Sequence, residues 1–174
     1  MRVWSVLLIG LAAMLGGCAG NSSKDIPAVK ELDLARYMGT WYEVARLPNS
    51  FERDMKEVIA EYSLSPGGGV RVVNRGGRDG KKTSITGHAK WREREGTGEL
   101  AVSFFQPFYG DYRVIMLDPE YRFSVVVGAD RDDLWVLSRT KELPPETWRK
   151  IMDFLRSHRF PVERLIYSWG PPAM

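Results

Sequence analysis

Gly39-Thr40-Trp41-Tyr42-Glu43-Val44-Ala45-Arg46-Leu47-Pro48 is a run of strand-forming residues between two natural breaks. Trp, Tyr and Val favour extended backbone, and Gly39 and Pro48 punctuate it. Alternation places Trp41, Glu43 and Ala45 on one face and Tyr42, Val44 and Arg46 on the other. A first strand with a Trp near its start and a small residue further along the same face suits a barrel. The Trp plugs one end and the Ala leaves room above it. Alone, the decapeptide fits any strand with a core Trp, and the rest of the chain decides.

Working outward, residues 49–55 read as a loop, with Phe51 among polar residues. Strands then follow at regular spacing: 57–65, ended by Pro66-Gly67-Gly68-Gly69; 70–74, broken by Gly76-Gly77 and Asp79-Gly80; 83–92; 99–105, ended by Gln106-Pro107; 111–117, ended by Asp118-Pro119; 121–128; and 134–139. With the opening strand these make eight, joined by short turn-forming connections. Upstream, Asp33 caps a single helical turn over 33–38. Downstream, Pro144-Pro145-Glu146 starts a helix to about residue 159, with Trp148, Ile151, Met152 and Leu155 at helical spacing. Pro161 stops it, and 165–169 form a short last strand. The pattern predicts an all-β fold: an eight-stranded antiparallel up-and-down barrel with one C-terminal helix packed outside. Such a barrel has room for one small apolar ligand. A sandwich is the structural rival and would need longer crossovers.

The chain has 174 residues, enough for one core, and its 25 Lys+Arg against 22 Asp+Glu are scattered as a solvated surface. No basic run or recognition motif points to nucleic acid. The first 17 residues are a leader: Met1-Arg2, an apolar stretch, then Leu15-Gly16-Gly17-Cys18. The pattern looks like a lipobox, with cleavage before Cys18 and diacylglycerol on its sulfur; the rival is an ordinary secretory signal that leaves a free thiol. Cys18 is the only cysteine, so no disulfide forms within the chain. The apolar run is short for a membrane span, and acyl chains on Cys18 anchor the protein firmly. Ala19 stands where an Asp favours inner-membrane retention in enteric bacteria, so the expected location is the outer membrane of the cell envelope. Residues 18–30 are expected to be the lipidated N-terminus and a polar tether that lets the domain, 31–174, stand off the membrane.

Catalytic and metal chemistry finds little footing. His88 and His158 have no partners at metal-ligand spacing. The serines show no nucleophile elbow. Gly67-Gly68-Gly69 precedes a strand and reads as a hairpin turn, and Asp132-Asp133 reads as a solvated loop. His88 is out of phase with Gly87 and Ala89 and is expected to point outward. No catalytic residue, metal or cofactor is expected.

The sequence resembles the lipocalin family, and closely its bacterial outer-membrane lipoprotein branch, relatives of apolipoprotein D. The resemblance rests on Gly39-x-Trp41 within the opening run, with Phe51-Glu52-Arg53 after it. It rests further on Ser103-Phe104-Phe105-Gln106-Pro107-Phe108-Tyr109-Gly110, on the turn Leu117-Asp118-Pro119-Glu120-Tyr121, and on Asp130 to Thr140 with Arg139. Leu117 stands where the family carries Thr. The match spans about residues 33 to 169. A guanidinium over an indole face is worth about 0.5–2 kcal/mol, so Arg139 is expected to close the barrel's end over Trp41, a structural role.

The resemblance sets the inward phase. Glu43 and Ala45 follow from Trp41. The family's phase adds Ala60 and Tyr62; Val70, Val72 and Asn74; Gly87 and Ala89; Val102 and Phe104; Tyr112 and Val114; and Trp135 and Leu137. Ser124 and Val126 stay open on the seventh strand. A one-residue slip flips any of these sets. Small residues make space, aromatics make an apolar wall, and Tyr62, Asn74 and Tyr112 offer polar tips. Glu43 either hydrogen-bonds to a neighbouring tyrosine or meets a ligand's polar end, or lies solvated near the open rim. The implied function is a membrane-anchored carrier of small apolar ligands, fatty acids or lysophospholipids. Two alternatives stand: an isomerase or de-epoxidase-like enzyme on the same barrel, and a haem or bilin carrier with His88 turned inward. A homodimer stays open.

Overall fold

The computed structural model describes residues 21–50 and 52–172. The leader, Cys18 and Phe51 lie outside the described residues. The elements in chain order are α1 (Leu34–Tyr37), β1 (Gly39–Arg46), β2 (Lys56–Leu64), β3 (Val70–Arg78), β4 (Lys81–Trp91), β5 (Glu99–Phe105), β6 (Phe108–Leu117), β7 (Phe123–Val127), β8 (Leu134–Ser138), α2 (Pro145–Ser157) and, after a short 3₁₀ turn, β9 (Ile166–Tyr167). Each of β1 to β8 pairs antiparallel with the next, and β8 returns to β1, so the sheet closes into an eight-stranded barrel. β9 is an extra pairing on the far end of β1, with Ala45 opposite Tyr167.

The β3–β4 hairpin is longer than the glycines suggested. β3 runs through Gly76 and Gly77 and turns only at Asp79-Gly80, both in the left-handed region with φ of 51° and 73°. Gly76 is needed for close approach instead. A Cβ there would sit 2.7 Å from the tip of Met55 and 3.2 Å from Val58.

Strand alternation divides the buried residues into two apolar clusters. One lies outside the barrel wall. Val125, Val127, Leu134 and Val136 pack there against Trp148, Ile151 and Leu155 of α2. The other lies inside, with Trp41, Ala60, Tyr62, Val72, Val114, Val126 and Leu137. β7 is buried on both faces, which hid its phase in the sequence. Its inward residues are Ser124 and Val126, opposite Leu137 and Trp135 of β8.

The barrel has unlike ends. α1 and the start of β1 close one, together with the β2–β3, β4–β5 and β6–β7 turns. The other carries the β1–β2, β3–β4, β5–β6 and β7–β8 connections and is the open end. The tether expectation needs correction here. Residues 21–32 lie along β6 and β7 rather than free in solvent. Ser23 is fully buried, donates from N–H to Ala129 O (3.0 Å) and from its hydroxyl to Gly128 O (2.6 Å). Arg113 of β6 donates to Ser23 O at 2.6 Å and to Ile26 O at 2.7 Å. A buried guanidinium needs acceptors, and this segment's carbonyls supply them. Val29 and Leu32 continue the track to Val114 and Gly96, near the closed end. Among the described residues no helix is long and apolar enough to cross a membrane.

Candidate functional site

The closed end is sealed by one stack. Trp41 is fully buried and its Nε1–H donates to Tyr37 O at 2.8 Å. Arg139 lies 3.7 Å above the indole and donates to Thr40 O and Arg36 O at 2.8 Å each. A cation–π contact and two carbonyl bonds therefore fasten α1 to β1 and β8. Asp118, next in the same end, accepts from Arg122 through both oxygens at 2.8 Å and caps the N–H of Glu120. The Arg122 guanidinium holds the Asp118 carboxyl below its ordinary value. Leu117, in the position of the family's Thr, packs against the inner cluster, and Asp118 with Arg122 holds the turn without a hydroxyl there. Gly39, the other signature position, has φ of 96° and its α-carbon faces Arg139.

Next to Trp41, with the Tyr37 ring 5.0 Å from the indole, lies a tyrosine floor. Tyr112 is hydrogen-bonded through its hydroxyl to Tyr37 (2.9 Å) and Tyr62 (3.1 Å), and Tyr37 is bonded to Ser124 (2.9 Å). Burial pushes the Tyr37 phenol up to about 12 and raises those of Tyr62 and Tyr112, so all three are neutral donors and acceptors. Tyr62 and Tyr112 thus face inward as the phase implied, but they satisfy each other. Tyr37 was missed, because it comes from the helical turn and not from a strand.

Toward the open end, Asn74, Phe104 and Trp135 sit on the inner face and stay half-buried; Ala89 and Val102, level with Val70, are half-buried as well, while Val72, Ala60 and Val114 are buried. Gly87 sits beside Phe104. A Cβ on it would lie 2.7 Å from the Phe104 ring, so the missing side chain is what lets Phe104 lie inward.

The structure overturns one inward assignment. A β-bulge interrupts β1 after Glu43: Glu43 faces Leu137, but Ala45 faces Val136. One extra residue on β1 reverses the phase beyond it. Ala45 therefore lies in the outer cluster under α2, and Arg46, expected outside, turns inward opposite Trp135. Glu43 is only 2 % exposed and is neither solvated nor bonded to a tyrosine. Its Oε1 accepts from Arg46 Nη1 and from the Ser168 hydroxyl, both at 2.6 Å. Arg46 also donates to the carbonyls of Glu52 and Met55 at 2.9 Å. Glu52 reaches in from the β1–β2 loop, where Trp135 Nε1–H donates to its carboxylate at 2.8 Å. Burial is the main force raising the Glu43 carboxyl, to about 8, with the Glu52 charge second; Arg46 and Ser168 pull the other way. A bulge leaves no composition signal, so alternation alone could not find Arg46.

Two inward polar atoms stay buried without a hydrogen bond: Asn74 Oδ1, and Arg46 Nε, which has only the Glu52 carboxylate at 3.9 Å. One is a donor and the other an acceptor, both near the mouth, and unpaired groups of this kind are costly unless a ligand answers them. His88 is exposed on the outer face, opposite Arg71 and Ser103, so the orientation required for haem ligation is not the one adopted.

A family model described as a lipocalin-like domain matches residues 32–169. The chain is 39% identical to the outer membrane lipoprotein Blc of Citrobacter freundii over 177 aligned residues, 99% of this chain and 100% of that protein. It is 32% identical to apolipoprotein D of Bos taurus, covering 92% of this chain and 91% of that one. Among solved structures, insecticyanin of the tobacco hornworm Manduca sexta aligns with a TM-score of 0.71 at 21% identity, covering 84% of this chain and 85% of that chain.

Proposed function

The chain belongs to the lipocalin family, and from that premise we propose that its barrel holds one fatty acid or lysophospholipid. Its place is the bacterial outer membrane, as for its lipoprotein relatives. Cys18 is the site of lipid attachment in this reading. The acyl chain lies along Val72, Ala89, Val102 and Phe104, above the tyrosine floor. The polar end meets Asn74 and Arg46 near the mouth, and Trp135 stands beside it. Glu43 and Glu52 set the charge around Arg46 rather than contact the ligand. Ala60 and Val114 line the lower wall.

The observation that carries the reading is the gradient along the inner face. It runs from a sealed floor, through an apolar wall, to a level near the mouth where half-buried Asn74 keeps a carbonyl oxygen without a hydrogen-bond partner. That is the layout of a site that takes an amphiphile tail first. We read the protein as a carrier and not an enzyme, because the inward titratable groups are tied to one another: Glu43 to Arg46 and Ser168, and the tyrosines to each other.

Native mass spectrometry of the folded domain tests this. A one-to-one complex with palmitate or with a lysophospholipid is the expected result. A folded protein that takes up neither would overturn the carrier reading.

A further inference from the structure

The tip of the β5–β6 hairpin breaks the ordinary rule for a soluble surface. Phe105 and Phe108 are 71% and 77% exposed, and only Gln106 and Pro107 separate them. Their side chains form an apolar pair at the open rim. Along the rim comes the β3–β4 turn, Arg78-Asp79-Gly80-Lys81-Lys82, with three cations against one acid. An apolar tip beside a basic turn has the chemistry of an anionic lipid surface.

Chain geometry points the same way. The N-terminal segment runs from the closed end toward the open one, in reverse order along Leu32, Val29, Ile26 and Ser23. It reaches the rim at Asn21, whose carbonyl accepts from Arg131 N–H and whose amide donates to Asp132. Ser22 forms a β-bridge with Asp130 of the same loop. Cys18 lies three residues before Asn21, and three extended residues span at most about 11 Å. A lipid on Cys18 is therefore leashed to the rim of the mouth. The acidic character of that loop is largely answered within the protein, since Asp132 accepts from both Asn21 and Arg164.

We propose that the open end of the barrel is the membrane-docking face. Phe105 and Phe108 sit among the acyl chains, and Lys81 and Lys82 lie on the phosphates of anionic lipid. The barrel then opens onto the bilayer that holds it, so an amphiphile passes between membrane and cavity without crossing water. This rests on the reading of Cys18 as the lipidated residue.

The test uses the mature lipidated protein in vesicles of phosphatidylethanolamine and phosphatidylglycerol. Once Cys18 carries its lipid, an introduced cysteine is the only thiol. Gln106→Cys places an environment-sensitive fluorophore at the tip. Gly67→Cys places it at the closed end, where a Cβ meets open space. Nitroxide on the lipid acyl chains is expected to quench the tip label several-fold more than the closed-end label. Adding Phe105→Ser and Phe108→Ser is expected to remove that difference with the circular dichroism unchanged. A tip label in water, or equal quenching at both ends, overturns the proposal. So does a tip label that is shielded but not quenched, which would mean that a second copy covers it. Mass spectrometry of the same sample keeps the two readings apart. Acyl mass on Cys18 with an unquenched tip sinks the docking face alone. A bare Cys18 would itself take the label and sinks the anchor; the tip is then read in a Cys18→Ser background, where a quenched tip keeps the docking face and an unquenched tip sinks it too.

Discussion

The two ends of this barrel are built from similar parts and do opposite work. Each has an arginine, an aromatic ring and a carboxylate. At the closed end Arg139 covers Trp41, every donor of the stack finds a carbonyl, and Asp118 is tied to a largely exposed Arg122. At the open end Arg46 is buried between Glu43 and Glu52, Trp135 is half-buried, and Nε of Arg46 makes no hydrogen bond, with Glu52 3.9 Å away. A fully satisfied network rigidifies, whereas a partly satisfied one is a place for something else to bind. Closure and capacity are thus separated along one barrel axis.

The largest expected effect comes from breaking the closed end. Trp41→Ala removes the largest fully buried side chain and strands Arg139. It should cost about 3–5 kcal/mol, read as a fall in denaturation midpoint. Arg46→Ala breaks the open end and leaves buried Glu43 and the Glu52 carboxylate without the cation between them. Removing one partner of a buried pair costs about 3–5 kcal/mol, at the lower end here because Glu52 can turn to solvent. Replacing Glu43 and Arg46 together by Leu and Met should recover much of that loss, since no charge is then left unpaired. Arg139→Gln, which keeps some hydrogen bonding but loses the cation over Trp41, should cost about 1–2 kcal/mol.

The smallest effects sharpen the comparison through pH, because the two carboxylates shift in opposite directions. Asp118 is held below its ordinary value, so its contribution is full at neutral pH and is lost as pH falls through the acid range. Glu43 is raised from 4.5 to about 8, so the folded protein holds that proton more tightly than the unfolded chain does. Its contribution is full below about 4.5 and is lost as pH rises through 8. Thermal unfolding across pH should show Asp118→Asn flattening only the acid limb and Glu43→Gln flattening only the neutral-to-alkaline limb. The same slope in Glu43→Gln as in the wild type would contradict the buried, proton-holding Glu43.

Much of this contrast was legible in the residues. Turn chemistry marked the strand connections, and alternation from Trp41 gave the inner face as far as Glu43. On later strands the phase implied by the family resemblance placed Ala60, Tyr62, Val72, Asn74, Ala89, Phe104, Tyr112, Val114 and Trp135 inside. Alternation failed where backbone register changed without a sequence mark, at the bulge that moves Ala45 outside and Arg46 inside. It was silent on β7, where apolar residues on both faces erase the period. The polar look of residues 20–24 misled, because Ser23 is held by Arg113 across 90 positions. An arginine between strand residues, Arg113 in β6, was the available hint that some distant carbonyls must come to it.

The comparison also picks between the probes of the cavity. Ala60 faces Trp41 in register and is 5% exposed, so a Trp there overpacks the floor. Ala89 is half-buried on the inner face beside Val102, so bulk there is expected to cost less. The most direct measurement is therefore the affinity of wild type, Ala89→Trp and Tyr112→Phe for one lysophospholipid and one fatty acid. Ala89→Trp should abolish binding while its denaturation midpoint stays close to wild type. Tyr112→Phe, which alters only the floor's hydroxyl network, should leave binding nearly unchanged. Undiminished binding by Ala89→Trp would place the ligand outside the barrel and contradict the account.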